Sequence, residues 1–138
     1  MANTAKYLSY KYAFERMKTA VARGFHLEAV VIAESVISDR LHSATGTGED
    51  RVKKNGDVMF VPLADLIDRA RRRGLEPGTV EDLHIWRKAR NRVAHAVARS
   101  RPGEPTMAVD DFRALAKQTA LEGIELANRI KAWQRRKA

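Results

Sequence analysis

A chain of 138 residues, 44% of them apolar, is long enough to bury a core as one domain, 1–138, without disulfide or metal staples. It has no cysteine, which excludes disulfides and thiolate chemistry and fits a reducing, cytoplasmic setting. Its 26 Lys and Arg against 17 Asp and Glu give a net charge of +9, a balance that favours polyanionic partners, nucleic acid above all.

No apolar run approaches the ~20 residues that cross a bilayer, so a membrane partner is not expected. The opening MANTAKYLSYKYAF has no long apolar stretch and does not read as a signal peptide. The four histidines (His26, His42, His84 and His95) are scattered, with no HxxxH pair. No metal site and no cofactor are therefore expected.

In chain order, Tyr7, Tyr10, Phe14, Met17 and Val21 recur at three- and four-residue spacing and predict a first helix over 4–22, stopped by Gly24. A second helix is predicted from Phe25 to Leu41. Its wide apolar arc, from Ala29 and Val30 through Val36 and Ile37, requires several neighbours, so it reads as the central helix. Glu28, Ser35 and Asp39 form its narrow polar stripe. Residues 43–61 are rich in small and turn residues and read as a flexible loop. Asn55-Gly56 favours a tight turn, which allows a small hairpin between Val52 and Val58. The GTG within this loop lacks the lysine and the strand–helix context of a phosphate loop.

A third helix is predicted from Pro62, with Leu63, Leu66, Ile67 and Ala70 facing inward. Arg71, Arg72 and Arg73 sit in its last turn, where cations suit the helix dipole, and Gly74 ends it. A fourth helix is expected after Thr79 as N-cap, running to about Ala98. A Pro- and Gly-containing turn at 101–105 leads to a long fifth helix, Asp111 to Trp133, with Leu121 and Ile124 off its apolar face as a contact for a partner subunit. Residues 134–138 read as a frayed basic tail. Helices joined by turns make the expected fold class all-α, a four- to five-helix bundle.

The fourth helix carries the informative stretch, TVEDLHIWRKARNRVAHAVARS. At about 100° per residue, Ile85, Trp86, Ala89, Val93, Ala96 and Val97 cluster on one side, taken as the core face. His84, Lys88, Asn91 and His95 cluster opposite. Asn91 and His95 are four apart and are surface neighbours. Arg90 and His95 are roughly 140° apart, which puts Arg90 at the flank of the core.

Arg90, Asn91 and His95 form an Arg-Asn-x3-His pattern that resembles the signature of the HEPN family (higher eukaryotes and prokaryotes nucleotide-binding domain). That signature is an Arg, usually followed by a polar residue such as Asn, with a His four to six positions after the Arg. The placement is similar too, with the motif late in a helical bundle, just before the last long helix. GFHLEAVVIAESVISDRLHS resembles the family's apolar central helix, so the resemblance covers roughly residues 20–136.

The resemblance implies a metal-independent endoribonuclease, a hydrolase active as a homodimer whose two motif helices share a cleft. It further implies a toxin, phage-defence or stress role, with an antitoxin protein as a candidate partner. One subgroup carries a Tyr two positions after the His and pairs with a modifying nucleotidyltransferase antitoxin. Val97 stands at that position here, a departure that speaks against that particular pairing.

The residue types suit such chemistry. Attack by the neighbouring 2′-hydroxyl of RNA needs a base near neutral pH, and His95 supplies an imidazole. The transition state gains negative charge, which the Arg90 guanidinium can stabilise. Asn91 can orient the phosphate or the His without adding charge. Arg87, Lys88, Arg92 and Arg99 are candidate RNA-phosphate contacts, and Glu34 and His84 candidate supporting residues.

Each also has a plainer role. Arg90 has Glu28, Glu34 and Asp39 as candidate structural partners, and His95 and His84 can be ordinary surface histidines. Trp86 reads as core rather than as a stacking platform. The alternative function is a non-catalytic helical module that binds RNA or a protein. A DNA-binding role is weakened because the connection holding Pro77 and Gly78 is no evident helix-turn-helix.

Overall fold

The computed structural model describes residues 4–46, 61–96, 102–103 and 106–137. These form five helices, and no strand occurs among them. The helices are α1 (Thr4–Ala22), α2 (His26–Thr45), α3 (Leu63–Arg72), α4 (Pro77–Ala96) and α5 (Val109–Lys137). The expected hairpin near Asn55-Gly56 lies outside the described residues, as do Val97 and Arg99.

Two of the helix ends follow directly from glycine. At the end of α1, Phe25 N–H donates to Ala20 C=O at 2.8 Å and Gly24 N–H to Val21 C=O at 3.1 Å. At the end of α3, Leu75 N–H donates to Ala70 C=O at 3.0 Å and Gly74 N–H to Arg71 C=O at 3.2 Å. Both are Schellman closures, and both need a left-handed residue, supplied by Gly24 at φ 81° and Gly74 at φ 96°.

α2 is the central element, as its wide apolar arc predicts: it packs against α1, α3, α4 and α5. Ala29, Val30, Ala33, Val36, Ile37 and Leu41 are all buried. It continues past Leu41 to Thr45, so residues 43–45 are helical rather than loop. Buried Thr45 is satisfied there by donating its hydroxyl to Leu41 C=O at 2.7 Å.

Other helix bounds and faces depart from expectation. α4 starts at Pro77, two residues before the expected cap. Pro is favoured in a first helical turn because its missing N–H has no partner there anyway. Thr79 is instead buried, its hydroxyl accepting from an Arg129 guanidinium nitrogen at 2.8 Å while another nitrogen of Arg129 bridges Asp82 at 2.7 Å. This clasp ties α5 to the first turns of α4. α5 runs to Lys137, so 134–137 are helical rather than frayed. Tyr7, placed on the inner stripe of α1, is 66% exposed, whereas Tyr10 and Phe14 pack against the core. On α5, Leu121 is exposed as expected, but Ile124 packs against the core.

α2, α4 and α5 come together tightly at Gly123. A Cβ there would lie 2.8 Å from Ala33 Cβ and 3.0 Å from Trp86 Cζ2. Ala33 Cβ is fixed to the α2 backbone and cannot rotate away. Gly123→Ala is therefore expected to lower stability by about 1–2 kcal/mol, because overpacking outweighs the ~1 kcal/mol helix-propensity gain. Thermal melting checks this, and an unchanged or raised Tm would show that α2 and α5 can part freely.

Candidate active site

The buried residues of α4 are Thr79, Val80, Leu83, Trp86 and Val93. At ~100° per residue these span an arc whose centre falls on Arg90, not beside it. The core face is thus turned roughly 90° from the one predicted, and Ile85, expected inside, is 58% exposed. Arg90 occupies the inner seam one turn after Trp86. Trp86 itself is core, as predicted, with its indole N–H donating to Thr119 C=O at 2.8 Å.

A cation in that seam needs a counter-charge. Glu34 on α2 supplies it: a terminal guanidinium nitrogen of Arg90 lies 3.0 Å from its carboxylate, with the two side chains 23% and 32% exposed. The other two carboxylates weighed as partners for Arg90 are taken elsewhere. Glu28 pairs with Arg16 at 2.9 Å, while Asp39 pairs with Lys6 at 3.2 Å and accepts from the Tyr10 hydroxyl. An ion pair as sheltered as Arg90–Glu34 is worth more than most surface pairs, up to about 1 kcal/mol, and less than the ~3–5 kcal/mol lost when a fully buried pair is broken.

The pair lies along a groove of about 610 Å³ between α2, α3 and the middle of α4. Glu34, Ser35 and Ser38 line one wall, Leu63 and Leu66 another, and Arg87 and Arg90 the third. Both arginines keep a buried Nε–H with no acceptor among the described residues. A buried donor left unpaired costs about 1–3 kcal/mol.

The remaining motif residues lie around the same helix. Asn91 is half-buried and adjoins Arg90 in sequence, and His95 is exposed one turn further on. Among the described residues no hydrogen bond or ion pair joins Arg90, Asn91 and His95. Lys88 and Arg92 are exposed on the outer side of α4.

His84 is not brought to Arg90. It faces Asp68 of α3 at 3.8 Å and lines a separate groove with Arg71, Ile85 and Lys88. About 120° of helix separates it from Arg90. Among the described residues no cluster of three His, Asp or Glu side chains is placed to hold a metal ion. None of the described helices is long and apolar enough to cross a membrane.

Arg87 is the residue whose place the sequence pattern conceals. By composition it belongs with Lys88 and Arg92 to a single charge run. By angle the run divides, with Arg87 turned into the groove beside Arg90 and the other two outward. Two signals point to this: the three-residue spacing of Arg87 and Arg90, and the polar stripe of α2 that passes through Ser35. Comparison with known proteins finds no matching family model, no similar curated protein and no similar solved structure.

Proposed function

We propose that the chain is a metal-independent endoribonuclease of HEPN type, in which His95 moves the proton, Arg90 stabilises developing negative charge and Asn91 orients the phosphate. The observation that carries the reading is Arg90 itself. Its guanidinium is held in the inner seam of α4 by Glu34, at the edge of a solvent-reachable groove and in the same helix as a solvent-facing imidazole. A guanidinium fixed at the groove has N–H donors beyond the nitrogen that meets Glu34, and fixing a donor before the reaction is what makes oxyanion stabilisation effective.

Within one chain Arg90 faces α2 and His95 faces solvent, about 7.5 Å further along the axis. A cleft formed by two α4 helices in a two-fold homodimer would let the Arg90 of one helix and the His95 of the other converge on one phosphate, and closed two-fold pairs are the commonest oligomers. The exposed Val31 and Ile85 are available to such a contact. The +9 charge supports RNA as the polyanion and implies affinity that falls steeply with salt. A toxin or phage-defence role, and an antitoxin partner, follow from the resemblance alone.

A second reading is favoured by the same ion pair. If Arg90 serves only to link α4 to α2, the chain is a non-catalytic module for RNA or protein. One experiment separates them. Light scattering at micromolar protein should give a dimer, and the same sample should cleave RNA while sparing DNA of the same sequence, which lacks the 2′-hydroxyl. A monomer that binds RNA and leaves it intact supports the non-catalytic module.

A further inference from the structure

The groove between α2, α3 and α4 is lined by two guanidinium groups and two carboxylates, but the pairing leaves one guanidinium without a carboxylate of its own. Glu34 is committed to Arg90, and Asp39 to Lys6 and Tyr10. Arg87 has no ion pair or hydrogen bond among the described residues, although it is half-buried and its Nε is fully so. The Nε of Arg90, one turn away in the same wall, is in the same condition. Two guanidinium groups three residues apart, each with a buried Nε–H that lacks an acceptor among the described residues, line a cavity that Ser35 and Ser38 also line. The partner that fits is an anion with several acceptor oxygens, because such an anion can take N–H groups from both guanidinium forks and hydroxyls from the opposite wall.

We infer that this groove is a phosphate subsite in which Arg87, with Arg90 beside it, holds a phosphate group of a nucleotide or RNA strand. Arg87 precedes His95 by eight residues, about 12 Å along the helix axis. The phosphate it holds is therefore not the one on which the His95 of its own chain acts but another of the same strand. That assignment of order rests on the ribonuclease reading; the anion site does not. The ligand chemistry is a phosphate oxyanion, whether a strand phosphodiester or a terminal phosphate. Arg87 binds here as a donor fork rather than as general surface charge, which separates it from Arg92 on the outer face.

The test is calorimetric titration of the full chain at low salt with a 2′-O-methyl RNA trinucleotide, which attack by the 2′-hydroxyl cannot cleave, and with adenosine 5′-monophosphate. Arg87→Ala should weaken trinucleotide binding by about tenfold or more, the loss of a charge-assisted contact. Arg92→Ala removes the same charge from the same helix and should weaken it less than about threefold, roughly a single diffuse phosphate contribution. Arg87→Lys, which keeps the charge and the fold, should recover only part of the loss because the fork is gone.

Adenosine monophosphate bound as tightly as the trinucleotide, and equally dependent on Arg87, identifies the terminal phosphate as the ligand. Equal losses for Arg87→Ala and Arg92→Ala, full recovery by Arg87→Lys, or no binding of either probe would overturn the subsite. Failure of the two readings is distinguishable. If wild-type protein leaves RNA intact but binds the trinucleotide through Arg87, the ribonuclease reading falls and the subsite stands. Cleavage that is unchanged in Arg87→Ala, with trinucleotide binding also unchanged, removes the subsite alone.

Discussion

His95→Ala is expected to lower the RNA cleavage rate by about 10²–10⁴-fold, the contribution of a general acid or base, while helical content and melting temperature stay at wild-type values. The stability half of this expectation follows from exposure: His95 stands on the outer side of α4, and no ion pair or hydrogen bond of its side chain among the described residues would be broken. Arg90→Ala is expected to abolish cleavage as well, but with a different accompaniment. It leaves Glu34 without its counter-charge at a partly buried position, so some stability is lost along with activity. Comparing the two variants at matched fractions folded separates chemistry from structure. Loss of activity in Arg90→Ala that merely tracks its unfolded fraction, with His95→Ala fully active, would identify Arg90 as a structural link and nothing more.

Trp86→Ala is expected to have the largest effect on the fold, about 3–5 kcal/mol. Trp86 is nearly fully buried, and its ring fills the space that Gly123 keeps open. Its removal leaves a cavity and deprives Thr119 C=O of the indole N–H. Denaturant unfolding followed by circular dichroism measures this, since the helices report the whole bundle. A loss below about 1 kcal/mol would show that the surrounding helices close over the gap. Because Arg90 lies one turn from Trp86 in the same seam, this variant should also perturb the Arg90–Glu34 pair, and any residual activity should be weaker than stability alone accounts for.

The five helices are legible from periodicity, and two of their ends from Gly24 and Gly74. Positions where a side chain overrides local preference are less so. Reading Thr79 as a cap removes Pro77–Thr79 from the fourth helix and fits the inner face to Ile85, Ala89 and Val97. Weighting Val80 and Leu83 as the first inward residues turns the arc toward Arg90 and places Ile85 outside, as the structure does.

A charged residue in an apolar seam is hard to anticipate because periodicity counts it as polar. Arg90 lies inside only because Glu34 meets it from another helix, a long-range fact that local spacing does not contain. The same holds for Thr79, which reads as a cap by type but is claimed by Arg129, fifty residues away. The α1 stripe fails at Tyr7 for a simpler reason. Tyr7 lies at the edge of the buried arc, and at that end of the helix Lys6 meets α2 instead, through Asp39 and Ser43.

The proposed attack by the RNA's own 2′-hydroxyl, with His95 and Arg90 in the roles given above, is tested most directly by the chemistry of the ends it would leave. The measurement is incubation of wild-type protein with a defined RNA in EDTA, beside His95→Ala. Wild-type cleavage is expected to persist in the chelator and to give fragments ending in a 2′,3′-cyclic phosphate or its opened product, with none of these from His95→Ala. Fragments that appear only when a divalent metal is restored, or that His95→Ala makes at the wild-type rate, would contradict it.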